Sequence, residues 1–155
     1  MMVTFVPLDS ALVRKLQSGG PDANGQAPER QVSSGSGVPC RHCLRQIGRG
    51  EEYLILSHRP FPEAQPYAEQ GPIFLHARAC LAHVSDGSVP EMLDSPHYIL
   101  RGYCEGNRIV YGSGLIVPTA EIPKAAAALL ADGAIAYAHV RSASNNCYQC
   151  RIERD

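Results

Sequence analysis

Lysine is almost missing from this chain; it occurs only at Lys15 and Lys124, and arginine supplies the other basic residues. The formal net charge is -1, so neither a nucleic-acid surface nor a polybasic membrane patch is expected. Single arginine forks can bind anions, but a skew of this kind is first of all compositional. Long apolar runs are missing too. The longest, "AAAALLADGAIAYAHV", is alanine-rich and broken by Asp132 and Gly133, which excludes it as a membrane span. In "MMVTFVPLDSALVRK" no basic start precedes an apolar stretch, and Asp9 interrupts early, so no secretory signal is read there. The expected location is therefore cytoplasmic.

Several catalytic signatures are also missing. There is no glycine-rich phosphate loop, no G-x-S-x-G elbow and no H-E-x-x-H pair. Glu51 and Glu52 are adjacent, so on an extended chain they point opposite ways and do not form a carboxylate pair.

What is present describes one globular domain. A chain of 155 residues with 45% hydrophobic content is long enough to bury its own core. "VTFV" (3–6) reads as a strand. "DSALVRKLQ" reads as a helix, capped by Asp9 or Ser10 and ended by Gly19-Gly20. From 19 to 37 runs "GGPDANGQAPERQVSSGSG", poor in large apolar residues, which is expected to be a flexible loop; "RQVS" within it can add a strand. "EEYLILS" (51–57) and "PIFLH" (72–76), rich in apolar and aromatic residues and bracketed by Gly50, Pro60, Pro66 and Gly71, read as strands, as does "HYILRGYC" (97–104). "RIVYG" and "GLIVP" read as two arms of a bent strand or a hairpin around Gly112-Ser113-Gly114. A second helix is expected over "TAEIPKAAAALLAD", with Thr119 as cap and Ile122, Ala126, Leu129 and Leu130 on one face. "AIAYAHVRS" and "CYQCRIE" complete the set as strands. Many strands with two peripheral helices define a single α+β domain, residues 1–155, with a mostly antiparallel sheet.

Six cysteines stand out against this background. In a reducing compartment they ligate metal or do chemistry more often than they form disulfides. Cys40 and Cys43, in "PCRHC", have the two-residue spacer that lets one turn aim two thiolates at one ion. "FLHARAC" supplies His76 and Cys80 as a second half-site. The composite C-x2-C … H-x3-C resembles treble-clef and related zinc modules in outline, although Leu44 stands where a zinc knuckle has glycine. The expected cofactor is zinc, held by Cys40, Cys43, His76 and Cys80. An alternative far half-site is Cys147 with Cys150, which repeats the spacing but lies on an expected strand, where its two side chains would diverge.

Other assignments follow from context. Cys104 reads as a small packed hydrophobe. His42, inside the first pair, is placed to be a substitute ligand or a base but reads first as solvated, and His139, between Ala138 and Val140, as a hydrogen-bonded structural histidine. Cys40 and Cys147 are the candidate catalytic thiols. The C-x-x-C spacing also occurs in thiol–disulfide oxidoreductases, which place it at the start of a helix; "RHCLRQIGRGEE" is too glycine-broken for that.

The ordered motifs "PCRHCLR", "GEEYLILSHRPF", "PYAEQGPIFLHARAC", "ILRGY" and "HVRSASNNCYQCRIER" resemble an uncharacterised family of small bacterial proteins, the domain-of-unknown-function family numbered 1203. The similarity covers roughly Pro39 to Asp155. The resemblance implies a compact α+β cytosolic protein and transfers no activity. Three functions are thus compatible with the sequence. The first is a binding or interaction domain stabilised by a Cys/His zinc site. The second is a thiol-dependent enzyme or redox protein using Cys40 or Cys147. The third is a metal-free structural domain. Neither a partner nor an oligomeric state can be read from the residues.

Overall fold

The computed structural model describes residues 1–155. Strand β1 (Val3–Val6) turns Val3 and Phe5 inward. Helix α1 (Ser10–Gln17) begins where Asp9 Oδ2 accepts the N–H of Leu12 at 3.0 Å, satisfying one of the free donors of the first turn. Its buried face is Val13 and Leu16. It ends at Gly19, whose φ of +89° suits a residue without a Cβ.

The strands form two antiparallel sheets. Strands β2 (Glu29–Val32), β3 (Glu52–His58) and β4 (Gly71–His76) lie in the order β2-β3-β4. Strands β5 (His97–Tyr103), β6 (Leu115–Pro118), β7 (Tyr137–Ser142) and β8 (Tyr148–Arg154) join β1 in the order β1-β8-β7-β5-β6. The architecture is the expected α+β domain, with the sheet divided in two. The division has a physical reason: each sheet packs against its own apolar cluster. Leu54, Leu56, Ile73 and Leu75 of the smaller sheet pack with Val13 and Leu16 of α1. Leu100, Val140, Cys150 and Ile152 of the larger sheet pack elsewhere, against helix α2 (Ile122–Leu130) through Ile122, Ala126 and Leu130.

Helix α2 starts later than its composition suggests. A 3-10 turn over Thr119–Glu121 precedes it, no side chain caps it, and Pro123 falls in its first turn, where a missing N–H is harmless. Thr119 is not the cap, because its hydroxyl donates instead to the Ser95 carbonyl. "RIVYG" and "GLIVP" form the bent-strand alternative and do not pair with each other. Cys104 N–H reaches Arg108 O at 3.0 Å and Val110 N–H reaches Gly102 O at 2.9 Å, while β6 pairs further along the same β5. "RQV" of "RQVS" falls in β2 at a sheet edge, whose four residues Glu29–Val32 are all exposed, while Ser33 beyond it is buried.

Two features position the sites. The first is β7, whose residues from Tyr137 to Arg141 are all buried. Val140 faces the α2 cluster, so Tyr137, His139 and Arg141 project from the other face. The second is the stretch 77–96, which joins β4 to β5 without any helix or strand. A loop of this length inside a packed domain needs anchors. Its anchors include His83 N–H to His42 O at 2.9 Å and Met92 N–H to Leu44 O at 3.0 Å. No helix is long and apolar enough to cross a membrane.

Candidate metal centre

The segment 39–46 folds back on itself. Pro39 bridges Gln46, Cys40 N–H reaches Arg45 O at 2.9 Å, and Leu44 N–H reaches Cys40 O at 3.0 Å. This is the turn that brings two cysteine side chains to one side. Closing it requires a left-handed residue after the second cysteine, and Leu44 adopts φ +56° there. That conformation costs an L-residue roughly 1–2 kcal/mol. Full burial of the leucine side chain, 0% exposed, contributes roughly 1.5–3 kcal/mol in the opposite sense. The departure from glycine is thus a substitution of packing for backbone freedom.

Strand β4 delivers His76 at its last residue, and "ARAC" then curls to return Cys80. The ligand atoms of Cys40, Cys43, His76 and Cys80 all lie within 4.8 Å of one another. Cys40 Sγ is 4.0 Å from Cys80 Sγ, and Cys43 Sγ is 3.5 Å from His76 Nδ1. Zinc–sulfur bonds of about 2.3 Å in a tetrahedron set neighbouring ligand atoms about 3.8 Å apart. The observed spacings bracket that value. All six cysteines are free thiols, and these four groups form a possible metal site without disulfides.

Hydrogen bonds from the Cys43 and Cys80 thiols hold Cys40 well below the ordinary thiol range, aided by His76. Hydrogen bonding to Cys40 and to Cys43, followed by burial, pushes the Cys80 thiol up. The sulfurs of Cys40 and Cys43 raise His76 to about 10. The cluster therefore favours a thiolate at Cys40 beside a protonated His76, and a divalent cation would take the place of that proton. The backbone helps, since His76 N–H approaches Cys40 Sγ at 3.4 Å.

His42 is the residue that sequence reasoning misplaced. It is buried, not solvated, with Nδ1 3.1 Å from Cys80 Sγ and Nε2 2.8 Å from Ser10 Oγ. Burial lowers its pKa and keeps the ring neutral. The Ser10 hydroxyl can then donate to Nε2 while Nδ1–H donates to the sulfur. On the other side, Glu51 Oε2 lies 3.9 Å from His76 Nε2 and accepts the Gly48 N–H at 2.8 Å. Such outer partners fix the orientation of metal ligands.

The second C-x-x-C pair is placed elsewhere. Cys150 is buried in the α2 cluster, opposite Val140, whereas Cys40 belongs to the cluster of the smaller sheet. Burial pushes the Cys150 thiol up to about 12. Cys147 precedes β8 and lines a cavity with His58 and Arg141. Cys104 is half-buried. Arg41 links the two regions: it is buried, and its Nε donates to Tyr148 O and its Nη1 to Pro39 O, each at 2.9 Å.

His139 is buried as expected but is not hydrogen-bonded. Neither ring nitrogen has a partner, and the ring sits among Phe61, Tyr103, Tyr137 and Tyr148 at centroid distances of 4.7–5.2 Å. Alternation placed it inward, but no local pattern in the sequence shows that its neighbours are four aromatic rings.

Together the fold and the clustered ligands define a small α+β domain carrying one Cys3His group. The chain belongs to the family described as "Protein of unknown function (DUF1203)", whose family model matches residues 37–154. No curated protein and no solved structure matches it.

Proposed function

We propose that this protein is a cytoplasmic binding or interaction domain stabilised by one structural zinc ion at Cys40, Cys43, His76 and Cys80. The observation that carries the reading is the convergence of those four ligand atoms within 4.8 Å. Four protein ligands close the tetrahedron and leave no position for a substrate water, which is the pattern of a structural and not a catalytic zinc. Its role follows from what it ties together. Cys40 and Cys43 belong to the turn at 39–46, His76 ends β4, and Cys80 lies in the irregular stretch 77–96. Zinc would pin that stretch to the body of the domain, and the binding free energy would add to folding. The same burial that suits Cys40 to a metal, 0% exposed, leaves it no approach for a substrate. The reading includes neither a nucleic-acid nor a membrane partner, in line with the net charge of -1.

The test is thermal unfolding of untagged protein with and without a strong chelator, followed by hydrogen exchange. Zinc removal is expected to lower the melting temperature by roughly 10 °C and to raise exchange within 77–96 first. Full reversal on adding back zinc completes the expected result. Unchanged melting in chelator contradicts the reading.

A further inference from the structure

The two sheets end in edge strands β1, β6, β2 and β4, and all but β6 are protected within the chain. The stretch 77–96 covers β1, where Phe5 N–H donates to Ser85 Oγ at 3.0 Å. The turn at 39–46 covers β4: Arg41 N–H donates to Phe74 O at 3.2 Å, and His76 N–H approaches Cys40 Sγ at 3.4 Å. Strand β2 carries Glu29 and Arg30, and charges on an edge discourage pairing with another strand.

Strand β6 has no such protection. No residue between Arg108 and Glu121 is charged, and Leu115 and Ile116 are 41% and 68% exposed. The edge is nevertheless pinned at both ends. Ser113 Oγ accepts Gly102 N–H at 3.0 Å, and Thr119 N–H donates to Pro96 O at 3.0 Å. The second of these bonds fixes which backbone groups point outward. Bonded pairs alternate along an antiparallel ladder, so Val117 and Leu115 bond Tyr98 and Leu100 of β5. The N–H and C=O of Gly114 and of Ile116 then point away from the sheet. The open ladder stops at Pro118, which has no N–H.

We propose that β6 is the interface of a homodimer, pairing antiparallel with β6 of a second copy about a two-fold axis at Leu115. Gly114 of each copy then faces Ile116 of the other, and each facing pair exchanges N–H···O bonds in both directions. Leu115 meets its own counterpart across the axis, in the kind of pair whose side chains come closest. A register centred on Ile116 would set Gly114 against Pro118 and leave the Gly114 carbonyl without a donor. The run is too short to grip a foreign peptide, whose affinity comes from a longer ladder, but it matches itself. An interface this narrow falls below the roughly 1,200 Å² of stable complexes, so the dimer dissociates on dilution. The inference does not depend on zinc and goes beyond the function proposed above.

Sedimentation equilibrium of the wild-type protein should show a mass rising from 16.7 kDa toward twice that value between roughly 10 μM and 1 mM. Over the same range, amide hydrogen exchange followed by NMR should slow several-fold at Gly114 and Ile116. Leu115 and Val117, already bonded to β5, should exchange at rates independent of concentration. Leu115→Lys sets like charges across the axis and should remain at 16.7 kDa. Leu115→Cys with oxidised glutathione should form a disulfide across the axis, because facing Cα atoms about 4.5 Å apart are within disulfide reach. Ile116→Cys, which faces Gly114, should not. If a variant misfolds, the wild-type exchange pattern decides. A mass of 16.7 kDa at every concentration, exchange at Gly114 and Ile116 that ignores concentration, a dimer that survives Leu115→Lys, or equal cross-linking at the two positions would overturn the proposal.

Discussion

His42 and Cys80 are joined by a ring nitrogen and a sulfur 3.1 Å apart, although 38 residues separate them. Since Ser10 holds the other ring nitrogen at 2.8 Å, the start of α1 bears through His42 on Cys80, one of the proposed zinc ligands. Replacing His42 by alanine should therefore weaken zinc binding by roughly 10- to 100-fold. Ser10→Ala should act in the same direction with a smaller effect. Competition against a chromophoric chelator measures both, and an unchanged affinity in His42→Ala contradicts the role.

Leu44 supplies a second expectation. Its φ of +56° is a conformation glycine adopts freely, so backbone strain alone predicts that Leu44→Gly stabilises. Packing predicts the opposite, because Leu44 is fully buried within the cluster that contains Met92 and Leu93. A buried leucine truncation costs roughly 2–5 kcal/mol, against roughly 1–2 kcal/mol recovered from the backbone. Leu44→Gly should thus destabilise by about 1–3 kcal/mol in urea unfolding. A more stable variant would show that strain is the larger effect.

His139 sets a pH dependence. An imidazole in the unfolded chain takes a proton near pH 6.5. The folded one, desolvated by burial and faced by Arg141, Arg151 and Arg101, stays neutral well below that value. Between the two the unfolded state binds more protons, so stability rises with pH and is lost as pH falls below about 6.5. His58 acts in the same sense, burial having lowered it to about 4. His139→Phe removes its contribution and fills the aromatic cage without unpartnered nitrogens. Its urea midpoint should fall less between pH 7.5 and 5.0 than that of the wild type. Equal losses would contradict the assignment.

The segment 19–37 provides a kinetic test. Its strand β2 is an edge strand with every residue exposed, and Arg30 lies at its second position. Limited trypsin digestion is expected to cut first near Arg30. A first cut within residues 50–120 would contradict the expected flexibility of this loop.

Local signals were legible in the sequence, and assembled ones were not. Short apolar and aromatic runs bounded by turn residues mark the strands at 52–58, 97–103 and 137–142. The possible Cys3His site is legible because each half-site, Cys40 with Cys43 and His76 with Cys80, is built within five residues of chain. His42 was not legible, since its burial depends on α1 docking over the turn. Nor was the division into two sheets, which depends on which cluster each strand face meets. The Arg141 cavity escapes for the same reason: its walls come from 58–72 and 141–148, and an arginine near a strand end ordinarily reads as exposed.

The most direct test of the zinc site is elemental analysis of protein purified without a histidine tag or chelator, for the wild type, Cys43→Ser and Cys104→Ser. The account predicts about one zinc per chain in the wild type and in Cys104→Ser, and a large loss in Cys43→Ser together with a lower melting temperature. A wild-type protein without zinc, or a Cys43→Ser variant that keeps its full complement, would contradict it.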